Sequence, residues 1–571
     1  MIENVKETEL AISKRSASTV MRLKRMGCFH QSRLSFMRVL LRRLKHENWA
    51  FERTLFDVNE QGVGVATYRV TGPKRSYTLV AFAHDLPAEL RSDRVIAEAW
   101  DATFTLFDGE PTKADIERLS QNVPLQEAGR ISEKEISLSR ANRSVRLFEY
   151  VTECLSKGQQ PEISEIEKVG YLMRTTAVYG SAKFGACDRD NWAEREEFSG
   201  SFQPELLAVW LIRTFAIDMV ENMAKVRGGN DAVALNPDVR RRFGVGNSTG
   251  LGMAPFLINH PALIHAWING RETALSIIRS LEKADADKIS TFRNLISRAS
   301  LNANQWHTDH EFQKNKIDCL KNDFKKLDTI LKSDILDKPY PWNMLFEWAE
   351  QHLGFEGQEQ LASVMLEPYG DLIDDISMTM SANERKHFRI DGGMKIATLQ
   401  NLLIQNYTWA NEIDFDNNDA NARVWYVSEE KLEPRLGERH EEPIEPYEQP
   451  LAPGRDAKKL SLDLAQWEQH GTVAGFLIQH PEHRHIVRRI QLVANKQYAE
   501  IHDNTISSKM LPIDLLRCKL SFFGATKFDP RSDRWVRITM YQGAPFPDEL
   551  SKFDPDDLAY PPLALEEVSG S

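Results

Sequence analysis

Two stretches of the chain concentrate side chains that can hold an anion and move a proton. The first runs Tyr171-Leu-Met-Arg174-Thr175-Thr176-Ala-Val-Tyr179-Gly180-Ser-Ala-Lys183-Phe-Gly185. An arginine such as Arg174 offers a carboxylate or phosphate two parallel hydrogen bonds, and the Thr175 hydroxyl can add another. Lys183 stands between Gly180 and Gly185, where the backbone allows close approach. Apolar neighbours would lower its pKa and make it a proton-transfer group, with Tyr179 as a candidate general acid. The second stretch is Gly244-Val-Gly246-Asn247-Ser248-Thr249-Gly250-Leu-Gly252, just ahead of helical spacing that runs to about 283. Exposed backbone N–H groups in such a segment bind anions without a charged side chain, and Arg240, Arg241 and Arg242 lie immediately upstream. No Gly-Lys-Ser/Thr closes it as a Walker loop, and the residues before it do not read as the buried strand of a dinucleotide fingerprint. Gly246, Asn247, Ser248 and Thr249 are therefore read as substrate-binding, with Arg174 and Thr175.

The chain also repeats itself. Phe256-Leu-Ile-Asn-His260-Pro261, followed by His265, parallels Phe476-Leu-Ile-Gln-His480-Pro481, followed by His485. Tyr179-Gly180-Ser-Ala-Lys183-Phe184 parallels Phe523-Gly524-Ala-Thr-Lys527-Phe528. The order of the two phrases reverses between the halves, so a plain tandem duplication does not explain them. Either two similar half-sites face one cleft, or His-Pro after an apolar run is helix punctuation. On the first alternative His260 joins Lys183 and Tyr179 in proton transfer, and Lys527 joins the substrate-binding set.

Other constellations carry less. His307-Thr-Asp309-His310 and His480-Pro-Glu482-His483-Arg484-His485 have metal-like wording. Neither shows further ligands, an H-E-x-x-H pair or an Asp-rich calcium loop, and Arg484 would repel a cation, so no metal site is expected. Five widely spaced cysteines with no C-x-x-C pair give neither a disulfide framework nor a zinc site. No G-x-S-x-G elbow occurs. Asp371, Asp374 and Asp375 read as charge complement to a helix start. Whether a cofactor is used is left open.

The elements that would position these residues follow from periodicity. Alternating β-branched and aromatic runs at 62–70, 77–83 and 102–107 predict a small antiparallel sheet, the first two strands joined by Thr71-Gly72-Pro73-Lys74. From about 112 onward, three- and four-residue apolar spacing predicts helices at 132–157, 161–173, 204–228, 251–283, 286–335, 342–353, 358–366, 394–406 and 458–500. A strand is expected at 534–541. The fold class is thus α+β, predominantly α-helical, with a small antiparallel sheet near the N-terminus (about 49–108) and a C-terminal strand region. The expected segments are a basic amphipathic helix (1–48) and a β-rich region (49–110), then a main helical domain carrying the glycine-rich loops (111–428). An acidic proline-rich linker (429–457), a helix-plus-strand region (458–542) and a poorly packed acidic tail (543–571) complete the chain.

Charge and composition bound the function. The 571 residues are 42% hydrophobic and 27% charged, with a net charge of −11, which excludes disordered, fibrous and multispanning membrane classes. Residues 10–46 nonetheless hold ten Lys or Arg and no acid. That segment is either a docking surface or a helix packed on the protein's own acidic body, and nucleic acid is not expected as a partner. The N-terminus lacks the basic-then-apolar order of a secretory signal, so the cytoplasm is expected. Two functions stand. One is an enzyme acting on a small anionic metabolite by Lys/Tyr acid-base chemistry, with elimination, isomerisation and transfer all open. The other is a non-catalytic interaction protein docking through its basic N-terminal helix and acidic linker. Oligomeric state is left open.

Overall fold

A computed structural model of the chain describes residues 12–22, 25–90, 99–122, 132–175, 195–198, 200, 202–248, 261–308, 311–380, 390–407, 410–411, 414, 425–427, 434–436, 452–493, 498, 517–528 and 537–554. The chain forms two compact units, each assembled from separated stretches. A helical unit comprises Met1–Leu34, Leu257–Cys518 and Leu563–Ser571; a sheet unit comprises Ser35–Phe256 and Lys519–Pro562.

The basic N-terminal segment is not one amphipathic helix. It contains α1 (Ala17–Val20) and α2 (Phe36–His46), separated by a buried irregular stretch through Cys28, Phe29 and Leu34. Several of its cations are engaged within their own units. Arg15 bridges Glu272 at 2.8 Å and Glu359 at 2.7 Å, Arg25 reaches Glu359 at 3.3 Å, and Arg33 pairs with Asp374 at 2.7 Å. Arg43, on α2, donates to the Glu197 carbonyl.

In the sheet unit β1 (Ala50–Val58), β2 (Gly64–Thr71), β3 (Ser76–Ala83), β4 (Ala102–Asp108) and β5 (Glu135–Arg143) form an antiparallel meander. It continues through β6 (Tyr171–Thr175) and β7 (Gly244–Ser248). A separate ladder in the helical unit pairs β8 (Trp425–Val427) with β9 (Pro434–Leu436). The sheet is completed by β10 (Ala525–Phe528) and β11 (Arg537–Met540), in the order β1-β2-β3-β4-β5-β6-β7-β11-β10. The α+β class and its helical predominance hold, but the sheet has nine strands, and β6 and β7 run parallel. Residues 132–157, expected as a helix, divide into β5 and a later helix. Ile136 and Leu138 alternate with Ser137 and Ser139, the two-residue period of a strand, which the helical template absorbed by chance.

The sheet unit's other helices are α3 (Lys113–Asn122), α4 (Phe148–Ser156), α5 (Ile163–Val169), α6 (Gln203–Gly228) and α7 (Pro237–Arg241). With 26 residues, α6 is buried along most of its length because it lies between the sheet and α4. Phe215 meets Phe104 edge-on at 5.4 Å, and Trp210 meets Phe51 at 4.8 Å. Arg213, inside this apolar helix, donates to the carbonyls of Phe243 (2.6 Å) and Ala544 (2.8 Å) and lies over the Phe546 ring. Burial pulls its guanidinium down to about 9. One side chain thus ties the residue before β7 to the strap after β11. The expected poorly packed tail is corrected for its first part: Ala544, Phe546, Leu550 and Phe553 are buried.

The helical unit contains α8 (Pro261–Ser280), α9 (Ala286–Asn304), α10 (Glu311–Ile330), α11 (Pro341–His352), α12 (Phe355–Val364) and α13 (Gly370–Ile373). A sub-bundle of α14 (Ile396–Asn406), α15 (Ala452–Ala465), α16 (Val473–Gln479) and α17 (Arg484–Val493) has its own core around Leu399, Leu403, Leu464, Phe476 and Ile490. The starts of α14 and α16 meet in a short antiparallel bridge. Ile396 N donates to Gly471 O (3.1 Å) and Val473 N to Met394 O (2.9 Å). The single helix expected over 458–500 is therefore three, interrupted at Gly471-Thr472, where the threonine caps α16, and at Pro481. Among the described residues no helix is long and apolar enough to cross a membrane.

Candidate functional site

The two stretches rich in functional side chains meet in the sheet. Arg174 pairs in register with Gly246 across the parallel β6–β7 contact, and Thr175 pairs with Asn247. Gly246 is opposite Thr539 on β11, and Thr539 is opposite Lys527 on β10. Arg174, Gly246, Thr539 and Lys527 therefore occupy one row across four adjacent strands. At a strand spacing near 4.8 Å, its ends are about 14 Å apart. Ser248, two residues further along β7, sits opposite Arg537.

Register also settles which face Arg174 takes. Phe104 packs on α6, and its cross-strand partner Ser139 shares that face, so Arg140 lies on the opposite one. Asn142, two residues on, shares the face of Arg140 and is paired with Arg174. Arg140 is opposite Thr103, whose hydroxyl lies 2.8 Å from Nε2 of His84. Burial lowers the pKa of Arg140, whose guanidinium lies 5.5 Å from the Trp100 ring, and burial likewise lowers that of His84. Asp101, whose charge acts on His84, accepts the Arg143 backbone N–H at 2.9 Å. The face away from α6 thus gathers arginines and hydrogen-bonding groups near the carboxyl ends of β6 and β7.

The glycine-rich segment does its work differently from the expectation. Residues 244–248 are a strand between β6 and β11, not a loop ahead of a helix, so their amides serve the sheet ladder. A Cβ at Gly246 would come within 2.8 Å of the Tyr171 ring, and one at Gly244 within 2.3 Å of the Met540 carbonyl. Glycine is needed there for close packing. The Thr175 hydroxyl donates to the Arg140 carbonyl at 3.0 Å, and buried Asn247 donates from Nδ2 to the Thr175 carbonyl at 3.4 Å. These two hold the strands together beneath the row.

Tyr179, Lys183, Thr249 and His260 lie outside the described residues. By sequence, 176–194 follow β6 and 249–260 follow β7 directly, so all four belong to the segments that leave the carboxyl ends of the parallel pair. The two His-Pro phrases precede helical turns: Pro261 opens α8, and Pro481 opens a single turn before α17. The Phe476–His485 phrase belongs to the helical unit and the Phe523–Phe528 phrase to the sheet unit.

No family model, curated protein or solved structure matches the chain. The site is defined by its own geometry. Sequence reasoning did not find Arg140 or His84, because Arg140 was hidden in the stretch misread as helix. Nor did it find Lys519, fully buried in the five-residue π-helical stretch before β10, where desolvation pulls the amine down to about 7.

Proposed function

We propose that the sheet unit binds a small anionic metabolite, a carboxylate or phosphate, beside the carboxyl ends of β6 and β7, and that the protein is an enzyme acting on it in the cytoplasm. The observation that carries this reading is the register placing Arg174 and Lys527 in one row that runs through Gly246, with Arg140 on the face of Arg174. Open α/β sheets place ligands outside the carboxyl ends of parallel strands, where following segments bring side chains to a common point. Here those segments carry Tyr179 and Lys183 after β6, and Thr249 and His260 after β7. Arginine supplies the bidentate geometry an oxyanion takes best. Lys183 and Tyr179 are the proposed proton-transfer pair, and elimination, isomerisation and group transfer share that requirement.

The alternative, docking through the basic N-terminal helix and the acidic linker, has less support at three of its cations. Arg15, Arg25 and Arg33 are drawn into internal ion pairs.

The test is a thermal-shift panel of phosphate and mono-, di- and tricarboxylates on the full chain, followed by titration of the best ligand. Binding that is weakened about tenfold or more in Arg174→Ala is expected, the loss of a charge-assisted hydrogen-bond pair. Equal affinity in that variant contradicts the reading.

A further inference from the structure

Far along the sequence from the sheet residues, the helical unit brings together four metal-ligating side chains. Asp463 near the end of α15 and His480, Glu482 and His483 in the turn between α16 and α17 each present one ligand atom, all within 4.8 Å of one another. Nε2 of buried His483 lies 2.7 Å from an Asp463 carboxylate oxygen, and Nδ1 of His480 lies 3.4 Å from Glu482. The rings are held before any ion arrives. Phe476 stacks on His480 at 4.8 Å and on His483 at 5.6 Å, and Trp467 meets His480 edge-on at 5.5 Å.

Charge supplies an independent indication. Among the described residues neither Asp463 nor Glu482 has a Lys or Arg partner, so two carboxylates face only two imidazoles. Arg484, which spoke against a cation when the sequence was read alone, is exposed at the start of α17. Asp463 is the ligand the sequence did not offer, since it stands 17 residues before His480 on another helix.

We propose that Asp463, His480, Glu482 and His483 form a binding site for a divalent first-row metal ion, of the zinc type. Two imidazoles and two carboxylates are borderline donors suited to Zn²⁺, and four protein ligands make a closed, structural site. Tetrahedral zinc with bonds near 2.05 Å places ligand atoms about 3.3 Å apart, so the cluster must contract by about 1.5 Å at its widest. Exposed Glu482 is the side chain free to swing inward. The ion would clamp the end of α15 to the turn before α17. The proposal does not depend on the anion site.

The experiment uses the full chain, stripped with chelator, dialysed and titrated with Zn²⁺ against a chromogenic competitor, with Co²⁺ as a spectroscopic probe. One equivalent of Zn²⁺ per chain, and visible Co²⁺ bands of four-coordinate intensity, are expected. His480→Gln combined with Glu482→Gln, both outside the buried core, should weaken that binding at least a hundredfold while leaving the metal-free circular dichroism spectrum unchanged. If the double variant does not fold, Glu482→Gln alone should shift the Co²⁺ bands. Absence of stoichiometric binding, or binding and spectra that survive the substitutions, would overturn the proposal and leave His483 and Asp463 as a simple ion pair.

Discussion

Arg174 and Gly246 face each other in one row for different physical reasons, and their substitutions should separate. Arg174→Ala removes a half-buried cation and should cost ligand affinity about tenfold or more with little change in melting. Gly246→Ala should do the reverse. A methyl group 2.8 Å from the Tyr171 ring forces a strand or a ring to move, which costs about 1–3 kcal/mol. Thermal unfolding and anion titration of both variants check the pair. Arg174 and Lys527 were legible in the sequence as charged residues near glycines, but their alignment was not. It depends on the register of four strands drawn from positions 171–175, 244–248, 525–528 and 537–540. Lys519 shows the same limit, because nothing in Arg517-Cys-Lys519-Leu announces complete burial.

Among elements, regular amphipathic patterns were read well and buried ones poorly. The strands β2, β3 and β4 and the helix α6 lie where their periods place them, whereas the spacing in β5 also fits a helix, and β7 reads as a loop because it is rich in glycine. Buried charge also organises elements in ways no local pattern shows. On α8, Glu272 is wholly buried, which alone would raise its pKa, yet Arg15 and Arg271 hold it down to about 2. An unfolded glutamate titrates near 4.5. The stability this group contributes is therefore complete above about pH 4.5 and lost as pH falls through about 2. Its upper bound is about 3 kcal/mol. Arg15→Ala should destabilise the helical unit by about 3–5 kcal/mol at neutral pH, because it leaves Glu272 and Glu359 short of a buried partner. Denaturant unfolding of both proteins at pH 7 and pH 3 checks this: the difference between them should shrink in acid.

At the scale of the whole molecule, the net charge of −11 works against anion binding, so the local cations must overcome a repulsive background. Anion affinity should therefore depend on the cations beside the carboxyl ends of β6 and β7, and fall when that local charge is removed rather than when the net charge changes elsewhere. Arg69 on β2 gives the control. It lies on the same sheet but pairs at the surface with Glu52 and Glu110. Arg69→Ala changes the net charge by the same amount as Arg174→Ala without touching the row. Titration of the full chain with the best small anion, alongside these two variants, is the most direct measurement. Arg174→Ala should lose about tenfold or more in affinity and Arg69→Ala less than twofold. Equal effects of the two variants, or no saturable binding of any small carboxylate or phosphate, would contradict the site.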